Sequence, residues 1–321
     1  MPFNICLIGC GWVAEACHGP ALRKYAAEQP DTVLSACCDL DSARAEAFRQ
    51  TFGFQKSYAD YKEMLAVEKA DAVCLLVSAA YIRPISMDIF RMGIPTLLEK
   101  PPGLNLAETS EMAEAAARHK VPHTVALNRR HAPIMQMLKE EMAGLPAVQR
   151  YHYELLRIKR TEADFAVTAI HAIDALRFIA GADYRHIDFT YQDLPAHGAG
   201  VANITLECRM VNGVSAGILI APMGGINAER GQVLADGHHI EFSLPVGGWA
   251  DGALRHYENN VLTRESTDSG EAYLAQGFYG ENRAFFAAVR AGRMPEHGLE
   301  SALQSVAVAD CLRARKICYE A

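Results

Sequence analysis

The sequence predicts an α/β amino-terminal domain, a doubly wound parallel sheet, followed by an α+β domain whose sheet is mostly antiparallel. Two patterns and the length predict it. Up to about residue 125, short apolar runs alternate with helix-like segments. Beyond about residue 150, apolar and polar residues alternate along strands, and Asn-Gly and Asp-Gly pairs mark hairpins. A chain of 321 residues is long enough for two domains and a large core.

The first apolar runs are Phe3–Ile8, Val33–Cys38, Ala72–Val77, Thr96–Leu98 and His123–Ala126. They lack polar alternation, as expected of parallel strands covered on both faces. Helix-like segments lie between them at Ala14–Ala27, Ser42–Thr51, Tyr81–Met92 and Leu106–His119, giving right-handed crossovers. The expected division is residues 1–125 and 126–321. In the second part Val148–Leu156 reads as a strand, and Val201–Met210 places Ala202, Ile204, Leu206, Cys208 and Met210 on one face. Asn212-Gly213 and Asp236-Gly237 then close hairpins onto Val214–Ile220 and His238–Leu244. Ala-rich helices are expected at Phe165–Ala180, Gly280–Arg290 and Leu299–Arg315. An antiparallel sheet with helices on one face leaves the other open, so a homodimer or homotetramer through this sheet is expected.

The turn Gly9-Cys10-Gly11-Trp12-Val13-Ala14 follows the first strand and opens a helix, in the form G-x-G-x-x-A. Gly9 allows the tight turn, Gly11 lets backbone approach a pyrophosphate, and Ala14 lets helix pack on strand. The helix amino terminus, at Trp12 and Val13, presents N–H groups and partial positive charge to phosphates. The second strand ends at Asp39, where a carboxylate accepts ribose hydroxyls and repels a 2′-phosphate. NAD is therefore favoured over NADP, and Arg44 on the next helix weakens that preference only slightly.

Half the residues are apolar, 21% are charged, and the net charge is −7. No basic tract is present, which argues against nucleic acid and anionic membranes as partners. No run is long enough for a membrane span, and no signal peptide is read at the amino terminus. Nine cysteines without a C-x-x-C pair fit structural thiols in a reducing cytoplasm. Cys10, inside the phosphate turn, is read as filler. His238-His239 point to opposite faces of a strand, so no metal site is expected. Arg157, Lys159 and Arg160 read as a solvated charged edge, with an anionic substrate as the alternative.

Two segments carry candidate chemistry. Glu99-Lys100-Pro101-Pro102 ends the Thr96–Leu98 strand, where ligands gather in open α/β sheets. A lysine there can hydrogen-bond a substrate oxygen; paired to Glu99, it is an ordinary surface ion pair. The prolines admit a cis bond. His171 and Asp174 lie three apart on one helix and share a face. His171 suits proton transfer near neutral pH, and the pair equally suits a structural contact.

Together these pieces resemble the glucose-fructose oxidoreductase / inositol dehydrogenase / MocA family. His18, Tyr58-Ala59-Asp60-Tyr61, Asn128-Arg129-Arg130 and Glu300-Ser301-Ala302 add to the likeness. The resemblance implies a Rossmann domain and an α+β domain with a large, open, mostly antiparallel sheet. It implies hydride exchange between nicotinamide and a hydroxyl-bearing carbon of a sugar, cyclitol or related diol. Lys100 and His171 take the catalytic roles, Ser78, Glu99 and Asn128 join the cofactor site, and Arg129, Asp164 and Asp174 face substrate. Two departures stand out. Val167 occupies the place of an aspartate that usually works with the lysine, so either Lys100 and His171 suffice, or another group such as Asp164 substitutes, or the chemistry is weak or different. Arg83 stands near the position of a histidine on the nicotinamide side. Val167 also motivates two other readings: an NAD-binding sensor with little turnover, and a lyase or glycosidase that retains its NAD.

Overall fold

The computed structural model describes residues 2–162, 164–247 and 251–321. The chain divides into two units, Met1–Asn128 with Phe278–Leu303, and Arg129–Gly277 with Gln304–Ala321.

In the first unit the strands are β1 (Phe3–Ile8), β2 (Thr32–Cys38), β3 (Lys56–Tyr58), β4 (Ala72–Leu75), β5 (Thr96–Leu98) and β6 (His123–Val125). All pair in parallel in the order β3-β2-β1-β4-β5-β6, the doubly wound order with its switch point between β1 and β4. The crossovers contain α1 (Gly19–Glu28), α2 (Ser42–Phe52), α3 (Tyr61–Val67), α4 (Ala79–Arg91) and α5 (Leu106–His119). Side chains at the N-caps open three of these helices: Asp41 accepts the Ala43 and Arg44 amides, Asp60 that of Lys62, and Asn105 that of Glu108. Pattern reading misses β3 and α3. Lys-Ser-Tyr is a short polar edge, not an apolar run. The helix expected over Ala14–Ala27 is also interrupted: a wide π-type turn, Ala14–His18, precedes α1, whose first turn holds Pro20. Proline has no N–H to give a continuous helix at that point.

The linear division at residues 125 and 126 needs correction. The helix Phe278–Arg290 packs into the first unit, because Phe285 and Phe286 complete the core formed by Phe3, Ile5, Leu7, Leu22 and Tyr25. Phe286 meets Phe3 edge-on at 5.9 Å, and the Arg290 guanidinium lies 4.2 Å over the Phe3 ring.

In the second unit the strands are β7 (Val148–Leu156), β8 (Tyr184–Asp193), β9 (Ala202–Met210), β10 (Ser215–Ala221), β11 (Ala228–Ala235), β12 (His238–Leu244), β13 (Gly252–Glu258), β14 (Val261–Asp268) and β15 (Cys318–Glu320). Their order is β14-β13-β12-β11-β7-β10-β9-β8-β15. Neighbouring strands pair antiparallel except β7 with β10, which run parallel. Both expected hairpins form, β9–β10 and β11–β12. The helices α6 (Pro133–Met142) and α7 (Ala166–Ala180) share one core with the sheet. Cross-strand ion pairs lie elsewhere on the sheet: Arg230 with Glu154 and Arg255 with Glu265, each at 2.7 Å. Such exposed pairs contribute little individually. Among the described residues no helix is long and apolar enough to cross a membrane.

Two buried carboxylates anchor the second unit. Glu229 on β11 accepts Nε and Nη2 of Arg129 at 3.1 and 2.7 Å, the Tyr153 hydroxyl at 2.8 Å, and Arg157 Nη2. Burial acts to raise its pKa, but Arg129 and Arg157 outweigh that and hold the carboxyl well below the usual range. Arg157, expected on a solvated edge, is buried in this network because Glu229 draws it inward. Asp174 on α7 accepts Nε and Nη2 of Arg130 at 2.8 and 2.6 Å, and the Ser305 hydroxyl at 2.9 Å.

Two predictions follow from these buried groups. Glu229→Gln leaves Arg129 and Arg157 buried around a neutral amide and should destabilise the protein by about 3–5 kcal/mol in urea unfolding; a loss under about 1 kcal/mol would show the network to be dispensable. His18 is fully buried in the first unit, with Nδ1 3.2 Å from Asn282 Oδ1, and burial lowers its pKa from 6.5 to about 4. The unfolded chain therefore takes up a proton first as pH falls. Stability from this residue is complete above pH 6.5 and declines towards pH 4, by about 3 kcal/mol. His18→Gln should flatten that part of the pH profile in unfolding titrations, and an unchanged slope would contradict the assignment.

Candidate functional site

The turn after β1 is built by backbone constraints. Gly9 has φ +96°, and a Cβ there would lie 2.4 Å from the Leu76 carbonyl oxygen, so no side chain fits. At Gly11 a Cβ would meet nothing within 4 Å, which leaves the backbone open to a ligand. The first helical bond runs from the Glu15 amide to the Gly11 carbonyl, at 2.9 Å. The amides of Trp12, Val13 and Ala14 precede it and lack helical acceptors, the usual condition of a helix amino terminus. Trp12 is 76% exposed, Val13 half-buried, and Ala14 buried against the strand core.

Asp39 at the tip of β2 is fixed from two sides. Its Oδ2 accepts the Cys10 amide and its Oδ1 the Asp41 amide, both at 2.9 Å. Arg44 reaches both Asp39 and Asp41 at 3.4 Å and is itself half-exposed. The Cys10 thiol is buried; its hydrogen bond with Cys37 and then its burial push its pKa above the ordinary range, so it is not a reactive thiolate.

A cleft of about 570 Å³ lies along the tips of β1, β2 and β4 and gathers Gly9, Gly11, Asp39, Arg44 and Ser78. Ser78 is the N-cap residue of α4. Leu40, Tyr61, Tyr81 and Ile85 add an apolar lining that the motif reading missed, although each follows closely on a strand tip or lies in the adjoining helix. Glu99 and Asn128 do not line this cleft. An elongated ligand with a diphosphate and a ribose fits what is present: open backbone at Gly11, helix amides, and a carboxylate held ready at Asp39.

At the tip of β5, the Glu99 amide donates to the Leu75 carbonyl at 2.9 Å. The Glu99 carboxylate, almost buried, accepts the Lys100 amide. Lys100 is half-buried, and the Lys100–Pro101 bond is cis. Asn128 is buried at the last position of the first unit. Arg83 is tied to Glu111 on α5, at 2.6 Å.

In the second unit His171 lies in the second turn of α7 and is 8% exposed. Asp174, expected at the substrate, has its oxygens taken by Arg130 and Ser305, and Arg129 is gripped by Glu229. Asp164 precedes α7; its Oδ2 accepts Arg313 Nε at 2.9 Å, while its buried Oδ1 has no donor among the described residues. His238 Nδ1 lies 3.0 Å from Nε2 of His256, which contacts Glu141 through Nδ1. Among the described residues no three His, Cys, Asp or Glu groups are placed to hold a metal ion.

Comparisons with known proteins agree with this geometry. Residues 3–127 match the GFO_IDH_MocA model, described as an oxidoreductase family with an NAD-binding Rossmann fold. The chain is 29% identical over 194 residues to D-apiose dehydrogenase of Paraburkholderia graminis, covering 56% of this chain and 50% of that protein. It is 25% identical over 282 residues to myo-inositol 2-dehydrogenase of Thermotoga maritima, covering 83% of each. In fold it is similar to a Gfo/Idh/MocA family oxidoreductase of Vibrio cholerae, with a TM-score of 0.80 at 20% identity over 98% of this chain and 97% of that one. Residues 3–127 thus match an oxidoreductase family with an NAD-binding Rossmann fold, and the chain is similar in sequence to dehydrogenases that act on a sugar and on an inositol.

Proposed function

We propose that this protein is an NAD-dependent dehydrogenase or reductase acting on a hydroxyl-bearing carbon of a small polyhydroxylated compound. The observation that carries this reading is the cleft at the tips of β1 and β2, with bare backbone at Gly11 and Asp39 held by two amides. The amides of Trp12, Val13 and Ala14 hold the diphosphate, and Asp39 accepts the ribose hydroxyls. Ser78 borders the same cleft. A nicotinamide coenzyme supplies hydride exchange with the substrate carbon.

The chain's own groups manage the proton and the charge. Lys100, at a strand tip with its backbone fixed through Glu99, donates a hydrogen bond to the reacting oxygen and stabilises negative charge there. The family resemblance assigns His171, on α7, the exchange of the hydroxyl proton. Arg129 and Asp174 act from behind, through the pairs that fix their surroundings. Asp164 keeps an acceptor for a substrate hydroxyl. The sugar and cyclitol dehydrogenases among the relatives support the substrate class. Val167, a half-buried apolar residue one turn before His171, favours one other reading, an NAD-binding sensor with little turnover.

Lys100→Ala should lower turnover by about 10²-fold or more while changing the NAD dissociation constant less than about twofold, as read by absorbance and calorimetry. Unchanged turnover removes Lys100 from the mechanism, and NAD binding without turnover of any polyol by the wild type supports the sensor. For the coenzyme, Asp39 and Arg44 border the cleft, and Arg44 is paired with both Asp39 and Asp41. NAD should bind about tenfold more tightly than NADP, and Asp39→Ala should narrow the gap. Tighter NADP binding by the wild type would reverse the role given to Asp39.

A further inference from the structure

The cleft at the strand tips of the first unit extends beyond Asp39 to the edge strand β3. The Gly9 amide donates to the Cys38 carbonyl at 2.8 Å, and the Asp39 amide to the Tyr58 carbonyl at 3.2 Å. The glycine turn, Asp39 and the residues after Tyr58 therefore stand side by side at the tips of β1, β2 and β3, about 5 Å from strand to strand. Ala59, Asp60 and Tyr61 follow directly and border the same cleft. A dinucleotide laid with its diphosphate on the glycine turn and a ribose at Asp39 carries its base onward, to the β3 side.

This end of the cleft is mostly apolar, with charge at few points. Leu40 comes from the β2 tip, and Tyr81 and Ile85 from α4. Leu40 is 88% exposed and Tyr81 57%. Apolar side chains left open to water beside a cleft gain by covering a flat aromatic base. The Tyr61 ring is steadied by its hydroxyl, which donates to Asp88 Oδ2 at 2.8 Å. Among the described residues three charged side chains line the cleft: Asp39, Arg44 and Asp60. The first two are paired with each other. Asp60 is held differently. Its Oδ1 accepts the Lys62 amide at 2.7 Å, as the N-cap of α3, and its Oδ2 makes no hydrogen bond or ion pair among the described residues. The cap fixes the carboxylate and leaves one oxygen as a ready acceptor.

We propose that Asp60 reads the base of the coenzyme: its Oδ2 accepts a hydrogen bond from the exocyclic amino group of a 6-aminopurine. This rests on the dehydrogenase reading and adds a specificity-determining residue to the same cleft. An amino group donates to a carboxylate, whereas the carbonyl of a 6-oxopurine sets one acceptor against another. The cleft thus selects adenine over hypoxanthine at one atom, while Leu40, Tyr81 and Ile85 cover either base alike. Selection by Asp60 is separate from that by Asp39, which distinguishes coenzymes at the ribose.

The test compares calorimetric dissociation constants of NAD and of nicotinamide hypoxanthine dinucleotide, which differ only in the purine. The wild type should bind NAD about tenfold more tightly. Asp60→Asn should narrow the ratio to about twofold or less, because an amide donates to a carbonyl as readily as it accepts from an amine. Asparagine and serine cap helices about as well as aspartate, so α3 keeps its start in either variant. Asp60→Ser, too short to reach the base, should bring NAD down to the affinity of the analogue. Leu40→Ala should weaken both dinucleotides and keep the wild-type ratio. Equal binding of the two by the wild type, tighter binding of the analogue, or a ratio that both Asp60 variants retain overturns this proposal and leaves the dehydrogenase reading intact. Binding of neither dinucleotide by the wild type overturns the dehydrogenase reading as well.

Discussion

The close approach of Gly9 to the Leu76 carbonyl sets the geometry of the whole first unit's ligand side. With φ +96° and no room for a Cβ, the chain leaves β1 in a direction that only glycine permits. That exit aims the next helix so that its first amides open on the crevice beside β4. The same turn gives the Cys10 amide to Asp39, so the tip of β2 is held by the turn it faces. The glycine turn and the Asp39 carboxylate are therefore one hydrogen-bonded piece, the one to which we give the diphosphate and the ribose. Preorganisation of this kind lowers the cost of binding, because little has to be ordered on association.

The second unit is ordered by charge placed where water is excluded. Adjacent arginines, Arg129 and Arg130, leave the chain towards different carboxylates, Glu229 on the sheet and Asp174 on the helix. Each carboxylate is satisfied by several donors, which is the condition under which buried ions are tolerated. The consequence for α7 is positional. Asp174 lies three residues after His171, so the ion pair that fixes Asp174 also fixes the rotation of the helix about its axis.

Much of this was legible because the signals are local. The glycine turn, the apolar runs ending at Asp39 and Lys100, and the Asn-Gly and Asp-Gly hairpins each occupy a few consecutive residues. Most of these strands begin and end within a residue or two of the expected bounds. The short edge strand Lys56–Tyr58 was not legible, since a polar edge has no apolar run to announce it. The partners of the buried arginines were illegible for a different reason. Arg129 and Glu229 are 100 residues apart, and nothing near either reveals the other. His171 and Asp174 look like a pair by spacing, but a guanidinium with two parallel N–H groups competes more strongly for a carboxylate than a neutral ring does. Arg313 likewise meets Asp164 across 149 residues of chain.

The return of Phe278–Leu303 to the first unit has a bearing on biosynthesis. A ribosome delivers residues 3–127 long before Phe285 and Phe286 emerge, yet these two rings fill the space between β1 and α1. Until then Phe3, Ile5 and Tyr25 lack their packing partners. Nascent chains thus hold an incomplete nucleotide fold through most of translation, and a gene truncated at the family boundary encodes a fragment with an uncovered apolar side.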